Sequence, residues 1–433
     1  MSAWPSQRTS LSTWRRGLGL AGGLNLLLVP FLGAMLFVRV LNDDRSAPDS
    51  RHSGSLNLSG VIAVLFILLA VGLLLRRRRG MVPTVVAGVW LCVWTAIALN
   101  TSGASTETLR EGVREVSVLA LAVIVYNARG AVNVPTAARL VQLIGFAPAI
   151  LALYQLATHT GKLVANNIRA NGTFAHPNSA AMFFAIAATA SLWLYLDSGK
   201  RRSDALLVTL FAAALVATFS IDGLLTLAAM LVTFGALHTG SFRVKLVPCA
   251  IAAAVVLVFF ATPLGSQRVA GESSTSLAAA DRGETTSSLD TRLYRWKTLL
   301  PEWEKSPVVG RGLGTTTTTE STAKNRLNYL LPHNEYLRYL VETGVVGLMI
   351  LLASLTMLIL RFFRMRKIDG TLGAGTLNAP ALGLAVIAGC LVNSLADNTL
   401  LNSPTCYAAA LIVVAALSLP GIATKRAPIP RAV

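Results

Sequence analysis

The feature that most constrains this chain is a succession of apolar blocks, each roughly 16–24 residues long and therefore able to cross a bilayer. About twelve of them can be drawn: 18–41, 59–75, 81–99, 115–128, 138–157, 179–196, 205–220, 223–239, 246–264, 345–361, 379–396 and 405–422. Backbone groups in lipid must be satisfied within the segment, so the blocks are expected to be helices. The expected fold is an all-α polytopic membrane protein with one long loop containing amphipathic helices. Arg129 cuts the fourth block short. Only Ser220-Ile-Asp-Gly223 parts the seventh and eighth, which reads as a hairpin with a tight turn. Composition agrees: 13% of residues are charged, against about a quarter in soluble domains. The net charge of +18 does not point to nucleic acid, because the bases cluster in short loops between blocks.

Those bases set the orientation. Arg15/Arg16, Arg76–Arg79, Arg129/Arg139, Lys200–Arg202, Arg243/Lys245, Arg361–Lys367 and Lys425/Arg426 fall on alternate connections and share the cytoplasmic side. Asp43, Asp44, Glu107, Glu111 and Asp397 fall on the other. Arg15 and Arg16 precede an apolar run too long for a signal peptide, so the first block reads as a span and both termini as cytoplasmic. Residues 1–264 then carry nine spans, 265–344 form the long outer loop, and 345–433 carry three spans and a tail. In a bacterial inner membrane the outer side is the periplasm. The Arg76–Arg79 run suits anionic membrane lipids. Cys92, Cys249, Cys390 and Cys406 make no close pair and read as small buried hydrophobes. Span centres are nearly free of ionisable groups, unlike those of ion-coupled carriers.

Chemistry is expected in the long loop. Leu289, Leu293, Trp296, Leu300 and Trp303 recur at helical spacing, from Ser287/Ser288 to Lys305-Ser-Pro307. Arg292 and Arg295 lie one turn apart beside that apolar face. Two forked guanidiniums suit a diphosphate; the alternative is a solvated basic face paired with Glu302 or Asp290. Gly310-Arg-Gly-Leu-Gly314 lacks the strand and the Lys-Ser/Thr of a nucleotide loop. Gly310 and Gly312 rather allow tight turns against another element, with a phosphate nest at Arg311 as the remaining option. His333, between Pro332 and Asn334, stands at the start of the helix leading into the tenth span. Of five histidines it is the best placed to be a general base. A second outer cluster, Arg169-Ala-Asn-Gly-Thr-Phe-Ala-His-Pro-Asn178, offers Arg169 as another phosphate ligand, and Asn178 reads as a helix cap. There is no Asp-x-Asp pair and no His-x-x-x-His. Arginines with no evident acidic partner suggest that protein cations do the work a metal does elsewhere.

Together these pieces resemble the O-antigen ligase and polymerase superfamily. The resemblance rests on Arg169-Ala-Asn-Gly-Thr-Phe…Pro-Asn178, Arg292-Leu-Tyr-Arg-Trp296, Ser306-Pro…Gly310-Arg-Gly-Leu-Gly314 and His333-Asn-Glu-Tyr-Leu…Glu342-Thr-Gly-Val-Val-Gly347. It implies a glycosyltransferase of the C type (GT-C), taking O-antigen from undecaprenyl diphosphate to a sugar hydroxyl of lipid A–core. It also implies catalysis by His333, a functional requirement for Arg292, and no metal or nucleotide cofactor. Many relatives have Ser-Arg-Gly where this chain has Ser220-Ile-Asp-Gly223, so no role is carried to Ile221. Polymerisation of O-antigen units and protein O-glycosylation belong to the same superfamily and stay open, as does a lipid-linked sugar flippase.

Overall fold

The computed structural model describes residues 20–43, 58–76, 88, 90, 92–97, 106–128, 131–164, 167–197, 201–263, 265–267, 288–318, 332–372 and 378–417. The helices are α1 (Leu20–Leu41), α2 (Leu58–Arg76), α3 (Thr106–Asn127), α4 (Val134–Thr158), α5 (Pro177–Asp197), α6 (Arg202–Ala217), α7 (Ile221–Leu237) and α8 (Phe242–Ala261). There follow α9 (Ser288–Glu304), the single turn α10 (Thr315–Thr318), α11 (Glu335–Leu372), α12 (Ala379–Asn393) and α13 (Ser403–Leu417). Much of the expected third span, parts of the long loop, and Arg15, Arg16, Arg77–Arg79, Arg129, Lys200, Lys425 and Arg426 lie outside the described residues.

Among the described residues, Leu58–Leu75, Val134–Thr158, Pro177–Asp197, Phe242–Ala261 and Glu335–Arg366 are long and apolar enough to cross a membrane. Leu27–Leu41, Ile221–Leu237, Ala379–Asn393 and Ser403–Leu417 are shorter apolar helices. The chain is a helical, multi-pass membrane protein. Its axis is α5, of which 89% is buried against 17–44% for the other four long segments. Ala180, Ala181, Ala185, Ala187, Ala188 and Ala190 let α4, α6, α7, α12 and α13 approach it closely. Large apolar side chains such as Leu75, Leu206, Leu257 and Met349 point outward, as a bundle in lipid requires.

Three local expectations change. α3 begins at Thr106, well before the apolar block, because its polar first half pairs internally: Arg114 meets Glu111 at 2.8 Å. α6 and α7 are not a packed hairpin. Ser220 caps α7 by accepting from the Gly223 N–H at 3.1 Å, but α6 then packs on α5 while α7 turns to α12 and α8. A two-stranded antiparallel hairpin, β1 (Lys162–Val164) and β2 (Asn167–Arg169), sits between α4 and α5, with Lys162 opposite Arg169.

α11 breaks at Gly344, where φ is 65° and ψ is −173°. The break frees backbone groups that the segment 307–312 then satisfies. Arg311 and Gly312 donate to the carbonyls of Val341 (3.0 Å) and Glu342 (2.7 Å), while Val345 and Val346 donate to those of Pro307 (2.9 Å) and Val308 (3.2 Å). A Cβ at Gly344 would lie 2.2 Å from the Val308 oxygen, and one at Gly310 2.4 Å from the Glu342 carbonyl. The glycines therefore serve a close backbone crossing.

Candidate active site at the head of the kinked helix

Asn334 caps α11, its Oδ1 accepting from the Leu337 N–H at 3.0 Å. His333 precedes it in the left-handed region, at φ 47°, a conformation a non-glycine residue adopts at some cost. The surroundings impose it. Trp296 on α9 donates to the Pro332 carbonyl at 2.7 Å, and Asn334 Nδ2 donates to Leu395 at 3.3 Å. The imidazole is 25% exposed, and its Nδ1 lies 3.0 Å from Oδ1 of Asp397 in the loop after α12. Burial works to raise the Asp397 carboxyl. The His333 hydrogen bond, the nearby imidazoles and the Asn398 N–H outweigh burial and hold it at about 2. An ionised carboxylate only accepts, so Nδ1 donates and the lone pair is left on Nε2. That is the tautomer a general base needs.

The arginine side of the site is built round Asn178. Arg169 is 2% exposed and donates to Thr218 O at 2.7 Å and to Asn178 Oδ1 at 2.8 Å. Ser220 donates to the same Oδ1 at 3.0 Å, and Asn178 Nδ2 donates to Asp222 at 3.2 Å. Asp222 in turn accepts from Arg292 at 2.6 Å. Asn178 is thus not the cap of α5: the helix begins at Pro177, and His176 accepts the Asn178 N–H at 3.2 Å. The rings of His176 and His333 are 6.5 Å apart. His333 therefore stands beside the network that holds Arg169 and Arg292, with His176 as its neighbour on that side.

Two expectations about the arginines are corrected. They do have acidic partners: Asp222 for Arg292, and Glu302 for Arg311 at 2.7 Å. Arg169 is buried rather than open to the outer surface, and its side chain reaches Thr218 and Asn178. Arg295 lies one turn from Arg292, and burial together with that neighbouring cation lowers its guanidinium below the ordinary value. Arg311 does not gather with the others. Its partner Glu302 stands ten residues beyond Arg292, about 15 Å along α9.

Beneath His333 lies a group that spacing alone offered and that was not read from the sequence. Arg338 is fully buried and reaches Glu335 Oε1, Glu342 at 2.9 Å and Glu115 of α3 at 2.7 Å. Tyr339 also donates to Glu115, at 2.9 Å. Glu335 bridges outward: its N–H donates to Ser394 O at 2.9 Å, and its second oxygen faces the Leu400 N–H at 3.4 Å. Both partners flank Asp397. The cluster thus ties the helix head that carries the base to the loop that orients it. Glu335, Arg338 and Glu342 at i, i+3 and i+7 were the available signal. Among the described residues no group of three or more His, Cys, Asp or Glu side chains gathers as metal ligands do.

A family model described as O-antigen ligase matches residues 205–352. This stretch of the chain is similar to the O-antigen ligase family. It runs from α6 past the break in α11 and includes Arg292, Arg295, Arg311 and His333; Arg169, Asn178 and Asp397 fall outside it. Members of the family transfer glycans during lipopolysaccharide and glycan assembly. No curated protein matches the chain.

Proposed function

We propose that the chain is a bacterial inner-membrane glycosyltransferase that moves O-antigen polysaccharide from undecaprenyl diphosphate to a sugar hydroxyl of lipid A–core. About twelve spans, cytoplasmic termini and a periplasmic site complete the reading, supported by the alternation of basic connections. One observation carries the chemistry: a carboxylate-oriented imidazole, His333–Asp397, stands beside the network that holds Arg292.

The acceptor hydroxyl loses its proton to Nε2 of His333 as its oxygen attacks the anomeric carbon. The bond from that carbon to the diphosphate oxygen breaks, and undecaprenyl diphosphate leaves with the bonding electron pair. Direct displacement inverts the anomeric centre. Arg292 and Arg295 stabilise the added charge on the leaving group. Arg169 contributes its field from below. Arg311 stabilises the loop rather than the diphosphate.

The test is transfer by the purified protein in detergent, with both glycolipids. Capped core is expected, unchanged by a chelator. Extension of the lipid-linked glycan instead would make the chain a polymerase, and no transfer at all would overturn the reading. Arg292→Ala is expected to lower kcat about 10²-fold. Arg292→Lys should recover part of this, keeping the charge but losing the fork. Equal loss in both variants would make Arg292 a structural partner of Asp222.

A further inference from the structure

The loop before α5 is fastened from every side. Gln155 of α4 accepts from the N–H groups of Asn171 (3.0 Å) and Gly172 (2.8 Å) and donates to Gly172 O (3.1 Å). Thr173 donates to Val40 O at 2.9 Å, and Asp43 accepts the Ala175 N–H at 3.0 Å. Lys162 donates to Ala175 O at 2.7 Å, and Phe174 is fully buried. A helix cap needs none of this. What it fixes is His176, the next residue.

His176 occupies the cap position of α5: its carbonyl accepts the Ala180 N–H at 3.1 Å and its Nδ1 accepts the Asn178 N–H at 3.2 Å. An imidazolium carries a proton on both nitrogens, so an accepting Nδ1 means a neutral ring with its one proton on Nε2. Burial favours the same state. Aided by Arg169, His333 and Lys162 and opposed by Asp397, it lowers the imidazole to about 3. The ring stands 6.5 Å from that of His333, and Asn178, two residues on, holds Arg169 and Asp222. His176 therefore stands beside the base and next to the asparagine that ties Arg169 to Asp222.

Resting on the glycosyl-transfer reading above, we propose that His176 is a further catalytic residue, its Nε2–H donating a hydrogen bond to a phosphoryl oxygen of the leaving diphosphate. A neutral donor suits this place. It stabilises charge that grows on the leaving oxygen, and it adds no second cation to compete with His333 for Asp397.

Two substitutions separate this role from capping. His176→Asn places an oxygen where Nδ1 accepts, so the cap is kept, but nothing reaches the Nε2 position. His176→Gln keeps a donor near Nε2 and loses the cap. The asparagine variant should melt with the wild type and lose about 10²-fold in kcat, with the acceptor KM unchanged. The glutamine variant should melt lower and stay within about tenfold of wild-type kcat. Wild-type kcat in His176→Asn, or activity that follows melting temperature in both variants, would overturn the role while leaving the function intact. Absence of transfer by the wild type would overturn the reading of function and this role with it.

Discussion

Replacing His333 should reduce glycan transfer by about 10²–10⁴-fold, the usual contribution of a positioned base. The informative substitution is His333→Asn. Asparagine tolerates the left-handed backbone found at this position, φ 47°, better than most residues, so loss of activity cannot be charged to misfolding. His333→Ala should behave alike in the purified assay. Asp397→Asn is the companion. Its amide oxygen can keep the bonds from Nδ1 and the Asn398 N–H, but the negative charge that balances the imidazolium formed when His333 takes the hydroxyl proton is gone. A loss of comparable size is expected, with melting little changed. Full activity of His333→Asn would remove the base from the mechanism.

The largest effect on stability is expected at Arg338. Its guanidinium is fully buried with Glu115, Glu335 and Glu342, which are themselves 5%, 2% and 0% exposed at the side chain. Arg338→Met fits the space and deletes the cation that bonds all three carboxylates. Breaking a buried ion pair by removing one partner costs about 3–5 kcal/mol, a large part of the stability of a folded domain. The variant should be recovered poorly from membranes and melt well below the wild type. Substituting Glu335 by Gln in the same background should restore part of the loss, because one stranded charge is gone. A variant that melts with the wild type would mean the three carboxylates are already neutral and that the cluster owes nothing to ion pairing.

The helical membrane architecture was legible because period and length of apolar runs are local properties. The break at Gly344 was not: the glycines at 310 and 312 read as tight turns against another element, but nothing local told that the element was the helix interrupted at Gly344. What the sequence hid were partnerships across great separations. Asp397 is 64 residues from His333, and Asp222 is 70 from Arg292; no periodicity links either pair. Arg169 read as a further phosphate ligand in an outer loop between two spans. Polar neighbours here form a buried network rather than a wet surface. Asn178 read as a cap because asparagine before a helix usually is one. The proline ahead of it shifted the helix start by a turn position and passed that duty to His176.

The break in α11 has a bearing on how the protein is made. The strip 307–312 leaves the ribosome before the carbonyls and amides of 341–346 that it must bond, and the carboxylate that orients His333 arrives later still, beyond α12. A nascent or truncated chain ending between these points would carry its guanidinium groups in the membrane without a competent proton acceptor. On the proposed mechanism, the base is oriented only once the segment after α12 has been made.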